Sequence, residues 1–214
     1  MKTILILGAH GATAQIVTQR LLQETSFQLR LYLRHAQRLA TLADNPRIQL
    51  IDGDVFDSLT LKSALVDVDI VYSNLGGENL GEMTKQVLTV MQQMGRKRLL
   101  FYSALGALHE VPGKFGEWNE QAIASYLPGF REANTLINQY SDINTTQFRP
   151  AWLTDKNEID YEITTETDLF RGTEVSRQSV ADFVVKVLQE PTLYPHTSVG
   201  LDKPGTQGDR PSWL

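Results

Sequence analysis

A run of small residues directly after the first apolar segment constrains this chain more than any other feature. The run, Gly8-Ala9-His10-Gly11-Ala12-Thr13-Ala14, lies between a predicted strand and a predicted helix. Gly8 permits a sharp turn out of the strand, Gly11 lets phosphate approach the backbone, and Ala14 lets the helix pack closely on the strand. The free N–H groups and the helix dipole then face an anion. A tight turn without a ligand is the alternative, but this placement favours a dinucleotide site contacted by Gly8, His10, Gly11, Ala12, Thr13 and Ala14.

Short apolar segments alternate with amphipathic helical segments as far as Pro150. The predicted strands are Thr3–Leu7, Gln28–Leu33, Ile48–Ile51, Ile70–Ser73, Leu99–Ser103 and Thr145–Arg149. The predicted helices are Ala12–Glu24, Ser58–Val66 with Ser58 as N-cap, Gly81–Met94, Gln121–Tyr140 with a break or kink at Pro128–Gly129, and Gln178–Gln189. Such alternation is typical of an α/β protein with a Rossmann-type doubly wound parallel sheet.

The alternation weakens after Pro150, although no linker divides the chain. Ile159–Thr164 indicates a strand outside the main order, and the tail from Pro191, with its prolines and glycines, predicts irregular structure. We therefore expect one domain over residues 1–214, with a core over 1–150 and a small C-terminal substrate-side lobe over 151–214.

Composition argues against several classes of protein. A net charge of −5 is unlike that of nucleic-acid-binding domains, which carry a basic face. The chain has no cysteine, so it forms neither disulfides nor thiolate metal sites, and no His, Asp or Glu spacing indicates a metal site. No segment approaches the ~20 apolar residues that cross a bilayer. We expect a cytoplasmic protein that binds no metal, nucleic acid or membrane.

The residue after the second predicted strand selects between the two nicotinamide dinucleotides. Enzymes selective for NAD carry an acidic residue there, which holds the ribose 2′-hydroxyl. This chain has Arg34, about twenty residues after Ala14, and Arg38 follows one helical turn later. A guanidinium suits a 2′-phosphate through its charge and paired N–H donors, so we predict NADP, with NAD less favoured. An ordinary surface arginine is the alternative.

Two further strand ends add to the predicted site. Asp54 and Val55 follow the third strand, where a carboxylate can accept a hydrogen bond from the adenine amino group and valine can pack beside the ring. Asn74, Leu75 and Gly76 follow the fourth strand and leave room for the centre of the cofactor. Each segment alone also fits simple loop chemistry. Open α/β sheets bind ligands at the carboxyl ends of their strands, so together these segments predict one crevice.

These residues resemble those of atypical short-chain dehydrogenases/reductases of the NAD(P)H-binding, NmrA-like type. The resemblance extends from residue 1 to about 190 and includes the later segments Arg149-Pro150-Ala151-Trp152 and Val175-Ser176-Arg177-Gln178-Ser179-Val180-Ala181. It implies that Pro150 and Trp152 also contact the cofactor.

The resemblance further implies two catalytic residues, Ser103 and Tyr126. Ser103 matches the serine that hydrogen-bonds the substrate, although a satisfied strand-end hydroxyl is an equal alternative. Tyr126 matches the tyrosine of a Tyr-x-x-x-Lys pair, but Phe130 stands where the lysine belongs. Without that cation Tyr126 is a poor base at neutral pH, which disfavours classical alcohol dehydrogenation. Hydride transfer to a flavin or quinone stays open, since the cofactor supplies that chemistry.

Three functions fit this pattern. The first is an NADP(H)-binding oxidoreductase that reduces a small planar acceptor such as a quinone or flavin. The second is a non-catalytic NADP(H)-dependent redox sensor with a protein partner. The third, a nucleotide-sugar epimerase or dehydratase, is disfavoured by Phe130 and by the short C-terminal portion.

Overall fold

The computed structural model describes all 214 residues. Ten strands alternate with six helices and one short 3-10 segment, Ala36–Leu42. The strands are β1 Thr3–Leu7, β2 Gln28–Leu33, β3 Ile48–Asp52, β4 Ile70–Ser73, β5 Arg98–Tyr102, β6 Asn144–Pro150, β7 Trp152–Thr154, β8 Glu162–Thr164, β9 Glu174–Ser176 and β10 Thr197–Asp202. The helices are α1 Ala12–Glu24, α2 Ser58–Leu65, α3 Leu80–Gln93, α4 Gly113–Ala122, α5 Leu127–Gln139 and α6 Arg177–Gln189.

The main sheet has eight strands in the order β3-β2-β1-β4-β5-β6-β10-β8. Every neighbouring pair is parallel except β10 with β8, and β7 pairs with β9 in a separate two-stranded sheet. Helices α1 and α6 cover one face, and α2, α3 and α5 cover the other. The predicted Rossmann-type α/β fold is therefore confirmed.

Strand order reverses between β1 and β4, which is where such sheets bind ligands. Leu7 pairs with Tyr32 on one side and with Ser73 on the other. The residues that follow, Gly8 and Asn74, therefore leave the sheet side by side. β1 and β4 are buried along almost their whole length because helices cover both faces, so this edge is held rigidly.

The second half of the chain differs from the sequence expectations in two places. The tail after Pro191 is not irregular throughout, because Thr197–Asp202 forms β10 inside the main sheet. Helix α6 is the crossover that returns the chain to a position parallel with β6. The predicted strand at Ile159–Thr164 reduces to Glu162–Thr164, which pairs with the far edge of β10.

Helix ends also differ from the prediction. The predicted segment Gln121–Tyr140 divides: α4 ends at Ala122 and α5 begins at Leu127, with Pro128 in its first turn, where proline costs no hydrogen bond. Asp57, not Ser58, caps α2, because its carboxylate accepts hydrogen bonds from the N–H groups of Leu59 and Thr60. None of the helices is long and apolar enough to cross a membrane.

Candidate functional site

Three adjoining cavities follow the carboxyl edge of the main sheet. The glycine-turn crevice has a volume of about 320 Å³ and lies over β1, β2 and β4, lined in part by Gly8, Gly11, Arg34, Asp54 and Asn74. The junction cavity, about 300 Å³, shares the Asn74–Gly76 segment with it. The aromatic cavity, about 460 Å³, shares four residues with the junction cavity: Tyr102, Phe130, Leu153 and Arg177. The three cavities are therefore neighbours along one edge of the sheet, from the glycine turn to the aromatic cavity.

The glycine turn is fixed by contacts with the neighbouring strand end. Gly8 has a φ of +72°, and a Cβ on it would lie 2.6 Å from the carbonyl oxygen of Asn74. A Cβ on Gly11 would lie 2.3 Å from Asn74 Nδ2. Gly11 is also the N-cap of α1 and has no side chain to cap the helix, so the first-turn N–H groups remain available to an anion. The turn thus has the geometry of a phosphate site.

The Asn74 side chain is itself held in place. The Tyr72 hydroxyl donates a 2.8 Å hydrogen bond to Asn74 Oδ1, which directs the amide nitrogen towards Gly11. Two residues later, a Cβ on Gly76 would meet no atom within 4 Å. Gly76 therefore serves no packing purpose, and its small size leaves space where the glycine-turn crevice meets the junction cavity.

Arg34 and Arg38 lie on the outer wall of the glycine-turn crevice. The Arg34 side chain is 75% exposed, and its Nη1 lies 3.7 Å from Asp54 Oδ2. Arg38 donates through Nη2 to the Arg34 carbonyl oxygen at 2.6 Å, so it supports the backbone of this loop. The Asp52 carboxylate accepts from the backbone N–H groups of His35 and Ala36 and anchors the same loop. Arg34 is thus an exposed cation on a fixed loop, paired only with Asp54.

Asp54 and Val55 form the floor of the same crevice. The Asp54 backbone is fixed because its carbonyl oxygen accepts a 2.8 Å hydrogen bond from the Tyr32 hydroxyl. Gly53 must be glycine here, since a Cβ would lie 2.5 Å from that hydroxyl. Val55 is buried, so it offers an apolar surface next to Asp54 in this crevice.

Tyr102 and Phe130 form the boundary between the junction and aromatic cavities. The Tyr102 ring packs on Phe148 with ring centroids 4.8 Å apart, and its hydroxyl is buried without a hydrogen-bond partner. Burial raises the pKa of Tyr102 to about 12, so the hydroxyl remains a hydrogen-bond donor at neutral pH. Ala12 and Thr13 lie across the junction cavity at the start of α1.

The aromatic cavity has mainly apolar walls and two unsatisfied polar groups, the hydroxyls of Tyr102 and Ser103. The Ser103 hydroxyl is buried and has no hydrogen-bond partner. Trp152 is fixed by a 2.9 Å hydrogen bond from Nε1 to Asn119 Oδ1, and its ring lies 4.7 Å from that of Trp118. Trp213 closes another wall. Buried polar groups normally find partners, so Ser103 marks where a bound molecule would accept a hydrogen bond.

A buried ion pair supports the loop above the aromatic cavity. Arg149 bonds through Nη1 to Glu110 Oε1, and both side chains are almost inaccessible to solvent. The Glu110 carboxylate also accepts from the N–H groups of Gly106 and Leu108. This cluster fixes the loop that carries Leu105 into the cavity wall.

The structure brings together most of the predicted site residues, with four exceptions. Tyr126 is the N-cap of α5, is 45% exposed, and lines none of the three cavities. Pro150 and Trp152, expected on the cofactor, line the aromatic cavity instead, because β6 ends beyond the junction cavity. Ala14 is fully buried between α1 and the sheet, in line with a packing role.

Several residues that line these cavities lie outside the predicted site, among them Arg177, Leu153 and Trp213. Arg177, the first residue of α6, lines both the junction and aromatic cavities. Leu153 joins it there, and Trp213 reaches the aromatic cavity from the tail. The sequence signal for Arg177 was the Ser176-Arg177 segment, which is part of the family resemblance. Trp213 had no local signal, since its position depends on Ser212, which bonds to the buried Glu174 carboxylate.

Comparisons with known proteins agree with this geometry. A family model described as NAD(P)H-binding matches residues 8–191. A short-chain dehydrogenase/reductase from Veillonella parvula DSM 2008, crystallised in complex with NADP, is 29% identical with a TM-score of 0.92, covering 99% of each chain. A Rossmann-fold NAD(P)-binding family protein from Shigella flexneri is 34% identical with a TM-score of 0.83, covering 100% of each chain.

More distant structures share the fold alone. ChuY, an anaerobillin reductase from Escherichia coli O157:H7, is 21% identical with a TM-score of 0.78, covering 97% of this chain and 100% of its own. No functionally curated protein matches the chain in sequence.

Proposed function

The chain belongs to the NAD(P)H-binding family, with the fold of an atypical short-chain dehydrogenase/reductase, and from that premise we propose that it is an NADPH-dependent reductase of a small planar acceptor such as a quinone or flavin. The observation that carries the proposal is the adjacency of the three cavities. The glycine-turn crevice shares Asn74–Gly76 with the junction cavity, and the junction cavity shares Tyr102 and Phe130 with the aromatic cavity.

The residues present fit a dinucleotide. Gly8, Gly11 and the start of α1 would hold the pyrophosphate, and Asp54 with Val55 would hold the adenine. Arg34 would bind a 2′-phosphate, which supports NADP over NAD. The Veillonella protein, similar over almost its whole length, was crystallised with NADP, which supports the same choice.

When bound, the reduced cofactor supplies a hydride. The chain's own contribution is to orient the acceptor and to donate hydrogen bonds. The Ser103 hydroxyl, buried and unpartnered, would donate to an acceptor oxygen or nitrogen, and the Tyr102 hydroxyl offers a second donor at the boundary. Phe130 fills the place of the usual lysine with an apolar ring, which favours acceptors that need little acid assistance.

The test is an anaerobic assay of NADPH oxidation against a panel of quinones, flavins and carbonyl compounds. We expect turnover with planar acceptors and little with simple aldehydes. Ser103→Ala should lower kcat/KM about 3- to 10-fold, the value of one hydrogen bond to a neutral group. Ser141→Ala, a serine remote from the aromatic cavity, is the matched control. No turnover with any acceptor would contradict the proposal.

A non-catalytic redox sensor is the second candidate, and Phe130 favours it because the cation of the usual catalytic pair is missing. A sensor must bind a protein partner differently in its two cofactor states. Affinity capture in the presence of NADPH and of NADP⁺ would separate the candidates. A partner retained in only one state, without turnover of any acceptor, would favour the sensor.

A further inference from the structure

We propose that the acceptor carries an anionic group, a carboxylate or a phosphate, and that Arg177 binds this group where the aromatic cavity meets the junction cavity. The inference rests on the proposed reductase function and names the substrate class of the same site. It predicts that acceptors with the same planar body but different charge bind with different affinities.

The charges around the two cavities point to an anion. Arg177 is the only charged residue that lines either the aromatic or the junction cavity, and no Asp or Glu lines either of them. The remaining walls of the aromatic cavity are mostly apolar, including Leu105, Ile123, Trp152 and Trp213. A cation beside apolar walls attracts an anion more strongly than it would in water, because the local dielectric constant is lower.

The guanidinium of Arg177 is available to a ligand. Its one protein hydrogen bond runs from Nη1 to Asp155 Oδ1 at 2.6 Å. The Asp155 side chain is 87% exposed, whereas that of Arg177 is 25% exposed. Exposed ion pairs contribute little free energy, so an anionic ligand could replace Asp155 at small cost. Arginine also binds carboxylate and phosphate through paired N–H donors.

A second observation places a polar group of the ligand in the same cavity. The Ser103 hydroxyl is buried, unpartnered and lines the aromatic cavity, so it needs an acceptor such as a carbonyl oxygen. Asn119 already uses its amide for hydrogen bonds to the Leu105 carbonyl and the Trp152 indole. The site therefore fits a planar apolar body with a carbonyl near Ser103 and an anionic substituent near Arg177.

Matched acceptors that differ only in charge provide the test. One pair is a naphthoquinone carboxylate and its methyl ester, and the other is FMN and riboflavin, which differ in a phosphate. Binding is measured with NADP⁺ present by quenching of tryptophan fluorescence, since Trp152 and Trp213 line the cavity and Trp118 contacts Trp152. The wild-type protein should bind the charged member of at least one pair about 10- to 100-fold more tightly, the range for a charged hydrogen bond. Equal affinities within both pairs would overturn the proposal.

Three variants test whether Arg177 causes the tighter binding of charged acceptors. Arg177→Gln should abolish it without changing the affinity for the neutral members or for NADPH. Asp155→Asn should act in the opposite direction and strengthen binding of the charged members, and its exposed position makes misfolding no concern. Lys85→Gln removes an exposed lysine that lines none of the three cavities and should change nothing. A large loss of NADPH affinity in Arg177→Gln would mean that Arg177 binds the cofactor, which would overturn the proposal.

Two further measurements cover a variant that fails to fold and separate the Arg177 proposal from the reductase proposal. If Arg177→Gln fails to fold, the Asp155→Asn result and the salt dependence of the wild-type preference decide, because a charge preference must weaken as salt is added. Turnover is measured separately with the same compounds. Charge-selective binding without turnover would contradict the reductase and leave the Arg177 site standing, whereas turnover without charge selectivity would do the reverse.

Discussion

Replacing Arg34 by alanine should weaken NADPH binding and leave NADH binding nearly unchanged. The two cofactors differ only in the 2′-phosphate, so a residue that contacts that group alone must affect one and not the other. Arg34 is suited to this because its side chain is 75% exposed and is not needed for the loop backbone, which Asp52 and Arg38 hold. Removing it should therefore leave the rest of the crevice intact.

The size of the effect follows from the contacts of Arg34. A hydrogen bond to a charged group contributes about 1.5–3 kcal/mol. Before the phosphate binds, Arg34 lies 3.7 Å from Asp54, and giving up such an exposed pair costs about 0–1 kcal/mol. The net loss of about 0.5–3 kcal/mol corresponds to about a 2- to 150-fold rise in the Kd for NADPH.

The assay is a calorimetric titration of both cofactors into the wild-type protein and Arg34→Ala. Lys85→Ala, which removes an exposed charge outside the crevice, is the control. Arg38→Ala provides a contrast, since its contact with the Arg34 carbonyl supports the loop and its loss should weaken both cofactors. An equal loss of NADPH and NADH affinity in Arg34→Ala would refute the prediction that Arg34 binds the 2′-phosphate.

Three other perturbations have distinct signatures. Gly76→Ala should leave the free energy of unfolding within about 0.5 kcal/mol of wild type, since a Cβ meets nothing, yet weaken NADPH binding; unchanged binding would mean that the cofactor lies elsewhere. Glu110→Ala should lower the free energy of unfolding by about 3–5 kcal/mol in urea titrations, because it leaves Arg149 buried and unpaired, and a loss below about 1 kcal/mol would contradict this. Burial raises the pKa of Asp202 to about 6, so the native state binds its proton more tightly than the unfolded chain, and stability should fall by on the order of 2–3 kcal/mol between about pH 4 and pH 6. Asp202→Asn should flatten that part of the thermal-stability profile, and an unchanged profile would count against the assignment.

The parts of the fold that could be predicted from the sequence have local signals. Thr3–Leu7 is apolar at almost every position and is followed directly by Gly8, so both the strand and its turn can be recognised without knowledge of the rest of the chain. Strand β10 has no such signal. Its residues Thr197–Asp202 mix polar and small types, and Gly200 is required because a Cβ would lie 2.2 Å from Thr164 Oγ1 and 2.6 Å from the Phe170 ring.

The same distinction applies to the site. The glycine turn, Arg34 and Asp54 follow strand ends, and their convergence comes from the parallel sheet. The position of Tyr126 depends instead on how Pro128 starts α5, and that local geometry leaves the tyrosine exposed. The place of Trp213 depends on the Ser212–Glu174 contact, which joins distant parts of the chain and has no trace in either segment alone.

A crystal structure with NADP⁺ would show where the cofactor binds. We expect the pyrophosphate at Gly11 and the start of α1, and the 2′-phosphate within hydrogen-bonding distance of Arg34. The nicotinamide ring should face the aromatic cavity between Tyr102 and Phe130. A nicotinamide ring directed away from the aromatic cavity, or a cofactor bound outside the glycine-turn crevice, would contradict this expectation.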